Sequence, residues 1–145
     1  GPIREVAVIF IGIFLTMIPA LEYLGQVADQ LPLNTITFFA FAGTLSAFLD
    51  NAPTYLAFMT TAGSLGAAEG LSTAVGIVAP EILMAVSAGA VFMGANTYIG
   101  NAPNMLVRCI AEENKVTMPS FFGYMGWSVC FLIPLFILDT LIFFL

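Results

Sequence analysis

Two apolar runs frame the chain, Val6 to Leu24 and Phe121 to Leu145. As helices, each is long enough to cross the roughly 30 Å hydrocarbon core of a bilayer. The chain between them stays largely apolar but is interrupted twice by polar segments, Asp50-Asn51-Ala52-Pro53 and Ala95 to Pro103. A soluble domain keeps about a quarter of its residues charged. Here 60% are hydrophobic and 8% are charged, with three basic and nine acidic side chains. So few charges cannot coat a globule in water, and most of this surface must meet membrane lipid or other apolar protein. The net charge of −6 argues against nucleic acid, which requires a basic footprint. The chain has no His and only two cysteines, so neither a zinc nor a haem site is expected and no cofactor is implied. Cys109 and Cys130 read as small buried apolar thiols.

The interruptions divide one membrane unit, residues 1–145, into a span at 6–24, a helical hairpin at 34–62, a broken helix at 75–113 and a last span at 119–145. Ile36 to Leu49 and Thr54 to Thr61 are each too short to cross alone. Asp and Asn bond their own backbone in preference to continuing a helix, and Pro53 disfavours helical geometry at Ala52 while suiting the first turn of a new helix. The segment therefore reads as helix, polar tip, helix. Residues 62–73, with Gly63, Gly66 and Gly70, read as a loop. Run as one helix, Val78 to Glu112 would be about 50 Å long, well over a bilayer core. Two half-helices around an unwound middle fit better. The tripeptide Asn-Ala-Pro occurs at both breaks, 51–53 and 101–103, each followed by a leucine, Leu56 and Leu106. The expected fold is an all-α membrane protein with transmembrane helices, a re-entrant helical hairpin and a discontinuous helix.

Orientation follows from Arg4, Arg108 and Lys115, because basic residues mark the cytoplasmic side. All three fall inside if the hairpin enters and leaves on the outer face. That arrangement places the C-terminus outside.

The breaks carry the chemistry. Unwound backbone survives at membrane depth only when buried in protein or lining a cavity. There it frees carbonyls for cations and aims helix N-termini at anions. Asp50 is the sharpest residue, since an acid near the bilayer centre needs a cation or a partner. It reads either as an acid that trades a proton for Na⁺ or as the cap of the following half-helix, and the two roles are compatible. Asn51, Thr54, Asn96, Thr97 and Asn101 supply neutral oxygens suited to a hard cation. Asp50, Asn51, Asn96 and Thr97 are the candidates for direct Na⁺ ligation. Pro53, Gly94, Gly100 and Pro103 mark the helix breaks, the glycines permitting close backbone approach. Glu81 follows Pro80 and suits the first turn of a helix, and Asp139 pairs within the bundle or faces the outer interface. Arg108 is expected to snorkel to the inner surface.

Ser46 to Tyr55 (SAFLDNAPTY) and Gly94 to Asn104 (GANTYIGNAPN) resemble the ion transporter superfamily, most nearly bacterial citrate transporters and NhaD-type sodium:proton antiporters. The resemblance extends to Pro2-Ile3-Arg4-Glu5-Val6 and to Met118 to Met125, nearly the whole chain. It implies an inverted repeat in which each half contributes one re-entrant hairpin and one discontinuous helix, with the polar tips meeting at the midplane. This chain resembles the C-terminal half, so an N-terminal half, membrane lipid and a small ion or carboxylate are the implied partners. The complete protein is expected to be a homo-oligomer in the bacterial inner membrane, and the isolated half inactive. Dicarboxylate transporters of the superfamily carry Ser-Asn-Thr at the tip, whereas this chain has Asp50-Asn51-Ala52-Pro53-Thr54. An acid there disfavours an anion and favours a cation.

The leading expectation is sodium:proton antiport, with Na⁺ as the coupling or transported ion. Na⁺-coupled citrate or carboxylate transport is the alternative, and a non-transporting membrane subunit is a further one. An intramembrane aspartyl protease is disfavoured, because Asp139 lies in Ile137-Leu138-Asp139-Thr140 and not in the Gly-x-Gly-Asp segment such enzymes carry.

Overall fold

A computed structural model of the protein describes residues 2–144; Gly1 and Leu145, the ends of the expected unit, lie outside the described residues. The chain is helical apart from one short hairpin of strands. The elements are α1 (Pro2–Val27), α2 (Thr35–Ser46), α3 (Asn51–Leu65), β1 (Leu71–Thr73), β2 (Gly76–Val78), α4 (Pro80–Phe92), α5 (Ala102–Glu113) and α6 (Phe121–Phe143). Single 3₁₀ turns cover Ala28–Gln30 and Met93–Asn96.

Two helical stretches are long and apolar enough to cross a membrane, Ile11–Gln30 and Phe121–Phe143. Few of their residues are buried by the rest of the chain. Phe122, Phe131, Leu135, Leu141 and Ile142 of α6 and Val8, Ile11 and Leu15 of α1 all stand exposed. A continuous apolar face of this size is a lipid-facing surface. Hydroxyls on these helices turn inward onto their own backbone: Thr16 bonds the Gly12 carbonyl, Ser128 that of Tyr124 and Thr140 that of Phe136. The lipid is thus offered few bare polar groups.

The remaining helices are shorter. α2 and α5 have 12 residues each, α4 has 13 and α3 has 15. At 1.5 Å per residue these measure about 18–22 Å, less than a bilayer core. Asn34 starts α2 through a reciprocal capping box with Thr37, the Thr37 N–H donating to Asn34 Oδ1 at 2.9 Å and the Asn34 N–H donating to Thr37 Oγ1 at 2.7 Å. α2 ends at Ser46, and a four-residue polar-apolar turn leads into α3. These two helices form a hairpin that packs mainly against α4, while α1 lies along α3. Phe38, Phe39, Met59, Ala62, Ala85 and Val86 make the buried core between them, closed by Val78 and Phe136.

Residues 62–73 differ from the expected loop. α3 continues through Leu65 and is capped by Gly66 in the left-handed conformation. Leu71–Thr73 then pairs antiparallel with Gly76–Val78. The helix expected from residue 75 accordingly begins at Pro80, because β-branched Ile77 and Val78 favour the extended pairing and Pro80 suits a helix start. Glu81 lies in the first turn of α4, as its position after Pro80 predicts. Both cysteines are exposed, not buried; Cys130 sits on the uncovered face of α6 and Cys109 on α5, which buries none of its residues within the chain.

Candidate functional site

The two polar interruptions come together. The tip between α2 and α3 docks against the unwound stretch between α4 and α5, and the contact is made largely by backbone carbonyls and small polar side chains. Gly94 and Gly100 make this approach feasible. A Cβ on Gly100 would lie 2.6 Å from the Ser46 carbonyl, 2.7 Å from that of Gly94 and 2.8 Å from that of Ala47. A Cβ on Gly94 would come within 2.4 Å of the Asn51 side-chain amide. No residue larger than glycine seats at either position without moving backbone.

Asn51 is the centre of the knot. Its amide nitrogen lies 2.9 Å from the Ala90 carbonyl, 2.9 Å from Ser46 Oγ and 3.0 Å from the Gly100 carbonyl, and its two N–H groups are shared among these three acceptors. This orientation is dictated by its neighbours, since carbonyls only accept. Ser46, fully buried, in turn donates its hydroxyl to the Ala90 carbonyl. One side chain therefore joins α2, α3, α4 and the break. Its Oδ1 is turned away from these three acceptors.

Thr97, also buried, is the second tie. Its hydroxyl donates to the Ala47 carbonyl and accepts the Gly100 N–H at 2.9 Å and the Ile99 N–H at 3.3 Å. The hydroxyl expected to hold a cation is thereby engaged in closing the break on the tip. The free carbonyls of the unwound stretch are met from two directions. Asn104 Nδ2 donates to the Thr97 carbonyl at 3.1 Å and reaches that of Gly94 at 3.5 Å. The Tyr124 hydroxyl on α6 donates to the Ala95 carbonyl at 2.9 Å.

Two buried oxygens in the same region have no hydrogen-bond partner among the described residues, Thr54 Oγ1 and Asn96 Oδ1. Thr54 is fully buried in the first turn of α3. An unsatisfied buried polar atom costs about 1–3 kcal/mol. An amide oxygen can only accept, so Asn96 Oδ1 calls for a cation or a donor. Both fit a hard cation held by neutral oxygens.

Asp50 is half-buried at the tip and caps α3, accepting the Asn51 N–H at Oδ1 over 2.8 Å. Its second oxygen is left for another partner. Asn101 precedes α5 in extended conformation, but its side chain does not cap the helix, and Pro103 occupies the first turn. Pro53 lies buried in the corresponding turn of α3. Asp139 is removed from this region and borders a cavity of about 240 Å³ with Met84, Ala88 and Phe92.

Sequence reasoning did not single out Ser46, Asn104, Tyr98 or Tyr124. The signal was present only in part: Ser46 and Asn104 stand within the two polar motifs, whereas Tyr124 reaches the break from a distant helix. Tyr98, 2% exposed, stacks on Tyr124 with ring centroids 4.2 Å apart and donates its hydroxyl to the Pro119 carbonyl at 3.1 Å. Arg108 lies over the Tyr98 ring, 4.6 Å from its centroid, and pairs with Glu112 at 2.9 Å. It is thus held along the protein surface by a ring and an acid.

Long apolar helices with uncovered faces, and shorter ones joined at buried polar breaks, make an integral membrane protein. The chain belongs to the family described as "Putative citrate transport", which matches residues 1–144. This is a family of transport proteins and not of enzymes. No curated protein and no solved structure matches the chain.

Proposed function

We propose that the chain forms one half of a secondary active transporter, that the α2–α3 hairpin is re-entrant, and that a cation binds where its tip meets the broken helix. The observation that carries this reading is the pair of buried, unpartnered oxygens, Thr54 Oγ1 in the first turn of α3 and Asn96 Oδ1 in the break after α4. Asn96 Oδ1 can only accept and so favours a cation over an anion, and the Thr54 hydroxyl can join it as a neutral oxygen ligand. Asp50 caps α3, the helix whose first turn carries Thr54, with one carboxylate oxygen and leaves the other uncommitted to that cap. An acid next to neutral oxygens can exchange a proton for Na⁺, which is the elementary step of sodium:proton antiport. In this reading the tips of a second, inverted half complete the ligand shell, the protein lies in a bacterial inner membrane with its C-terminus outside, and the complete transporter is a homo-oligomer.

The family description favours a second reading, in which the cation is coupled to uptake of a citrate-like carboxylate. The N-termini of α3 and α5 then face the anion. Uptake of radiolabelled citrate into proteoliposomes of the full-length protein separates the two. Antiport predicts no citrate accumulation under an inward Na⁺ gradient; accumulation that collapses without Na⁺ assigns the coupled carboxylate reading.

A further inference from the structure

The unwound stretch is held by more than the tip. Its carbonyls at Gly94, Ala95 and Thr97 are all met by side chains, the first and third by Asn104 and the second by Tyr124. Asn96 lies between them. A peptide unit is planar, so fixing the Ala95 carbonyl also fixes the Asn96 nitrogen, and fixing the Thr97 carbonyl sets the far side of the segment. The base from which Asn96 Oδ1 projects is therefore set by two hydrogen bonds, one from α5 and one from α6. Tyr124 has little freedom of its own. Its ring stacks on buried Tyr98, whose hydroxyl is tied to the Pro119 carbonyl and whose other side carries Arg108. The arrangement is rigid where the unwound backbone by itself would not be.

We infer that Tyr124 is a positioning residue, which acts through the Ala95–Asn96 peptide to aim Asn96 Oδ1 at the cation. The inference rests on the cation site proposed above and names a residue outside both polar motifs that sets its affinity. The Tyr124 hydroxyl is committed to the Ala95 carbonyl and its ring to Tyr98, so its effect is transmitted through the backbone. A merely structural role would lower the yield or maximal rate of the protein and leave the cation concentration for half-effect unchanged. A positioning role shifts that concentration and does so only while Asn96 is present.

The test is the Na⁺-dependent rise in thermal stability of the full-length purified protein, followed for wild type, Tyr124→Phe, Asn96→Ala and the double variant. Fitted to ligand linkage, this rise gives the dissociation constant, the half-effect concentration for occupancy, without requiring transport. Tyr124→Phe keeps the ring stack and removes one hydrogen bond. Its half-effect concentration is expected to rise about three- to tenfold, the range for one neutral hydrogen bond. In the Asn96→Ala background the same change is expected to have no further effect. An unchanged half-effect concentration in Tyr124→Phe, beside a wild type that responds to Na⁺, overturns the positioning role alone. A wild type that responds to no alkali cation removes the cation site and this inference together. Tyr124→Trp, which keeps a ring on Tyr98 but redirects the donor, takes the place of Tyr124→Phe should that variant not fold.

Discussion

The Thr97 hydroxyl donates to the carbonyl of Ala47, fifty residues earlier in the chain, and so fastens the broken helix to the hairpin tip. The same oxygen accepts the N–H of Gly100, closing the unwound stretch on itself. Thr97→Val keeps the shape and removes donor and acceptor together. It should lower stability by about 1–3 kcal/mol, because the Ala47 carbonyl and the Gly100 N–H lose their partner in a buried place. Thr97→Ser should restore most of the loss. Thermal unfolding of the purified full-length protein, read by size-exclusion chromatography after heating, checks both.

Gly94 and Gly100 permit the tip to seat against bare backbone. Gly100→Ala should be the more damaging change, since its Cβ would meet three carbonyl oxygens of two segments at once. The cost of such overpacking is about 1–3 kcal/mol or more. The expected outcome is a lower yield of folded protein and, in what folds, increased protease cleavage between residues 46 and 51. A fold and protection equal to wild type would mean the tip is not held as described.

Asp50 has two roles that a pair of substitutions separates. Asn caps helices about as well as Asp, so Asp50→Asn should keep α3 and the protein's stability. Asp50→Ala should lose about 0.5–2 kcal/mol through the missing cap. Both should abolish cation-driven proton exchange, because neither can release a proton. Stability and exchange measured side by side on the two variants check the division.

The unpartnered oxygens make an opposite prediction about stability. Removing an unsatisfied buried oxygen does not remove a protein hydrogen bond. Thr54→Val and Asn96→Ala should therefore leave stability without added cation unchanged, or raise it by up to about 1–3 kcal/mol. Each should reduce the stabilisation that Na⁺ confers on the wild type. Thermal unfolding with and without Na⁺ checks both halves of the statement.

Much of this arrangement is legible in the residues themselves. The two spans follow from run length, and the breaks follow from Asp50-Asn51-Ala52-Pro53 and the Asn96-to-Pro103 segment, where side chains compete with helical hydrogen bonding. The strand pair at 71–78 was hidden because glycines at 63, 66 and 70 read as a loop, and loop and hairpin share the same punctuation. What a polar residue does once buried was not legible either. Asn51 and Thr97 have the chemistry of cation ligands, yet they are engaged by the backbone carbonyls of Ala90, Ala47 and Gly100 and by the Gly100 N–H, groups that carry no mark in the sequence. Only packing distinguishes these from Thr54 and Asn96, whose oxygens are left unengaged. Tyr124 was beyond reach for a similar reason: in sequence it is one aromatic among many on an apolar helix.

The most direct test is proton flux in sealed vesicles bearing the full-length protein, with Na⁺, Li⁺, K⁺ and citrate added in turn. The account predicts a pH change on adding Na⁺ or Li⁺ without citrate, absent in Asp50→Asn. No flux with any cation, beside a response to citrate alone, would contradict it.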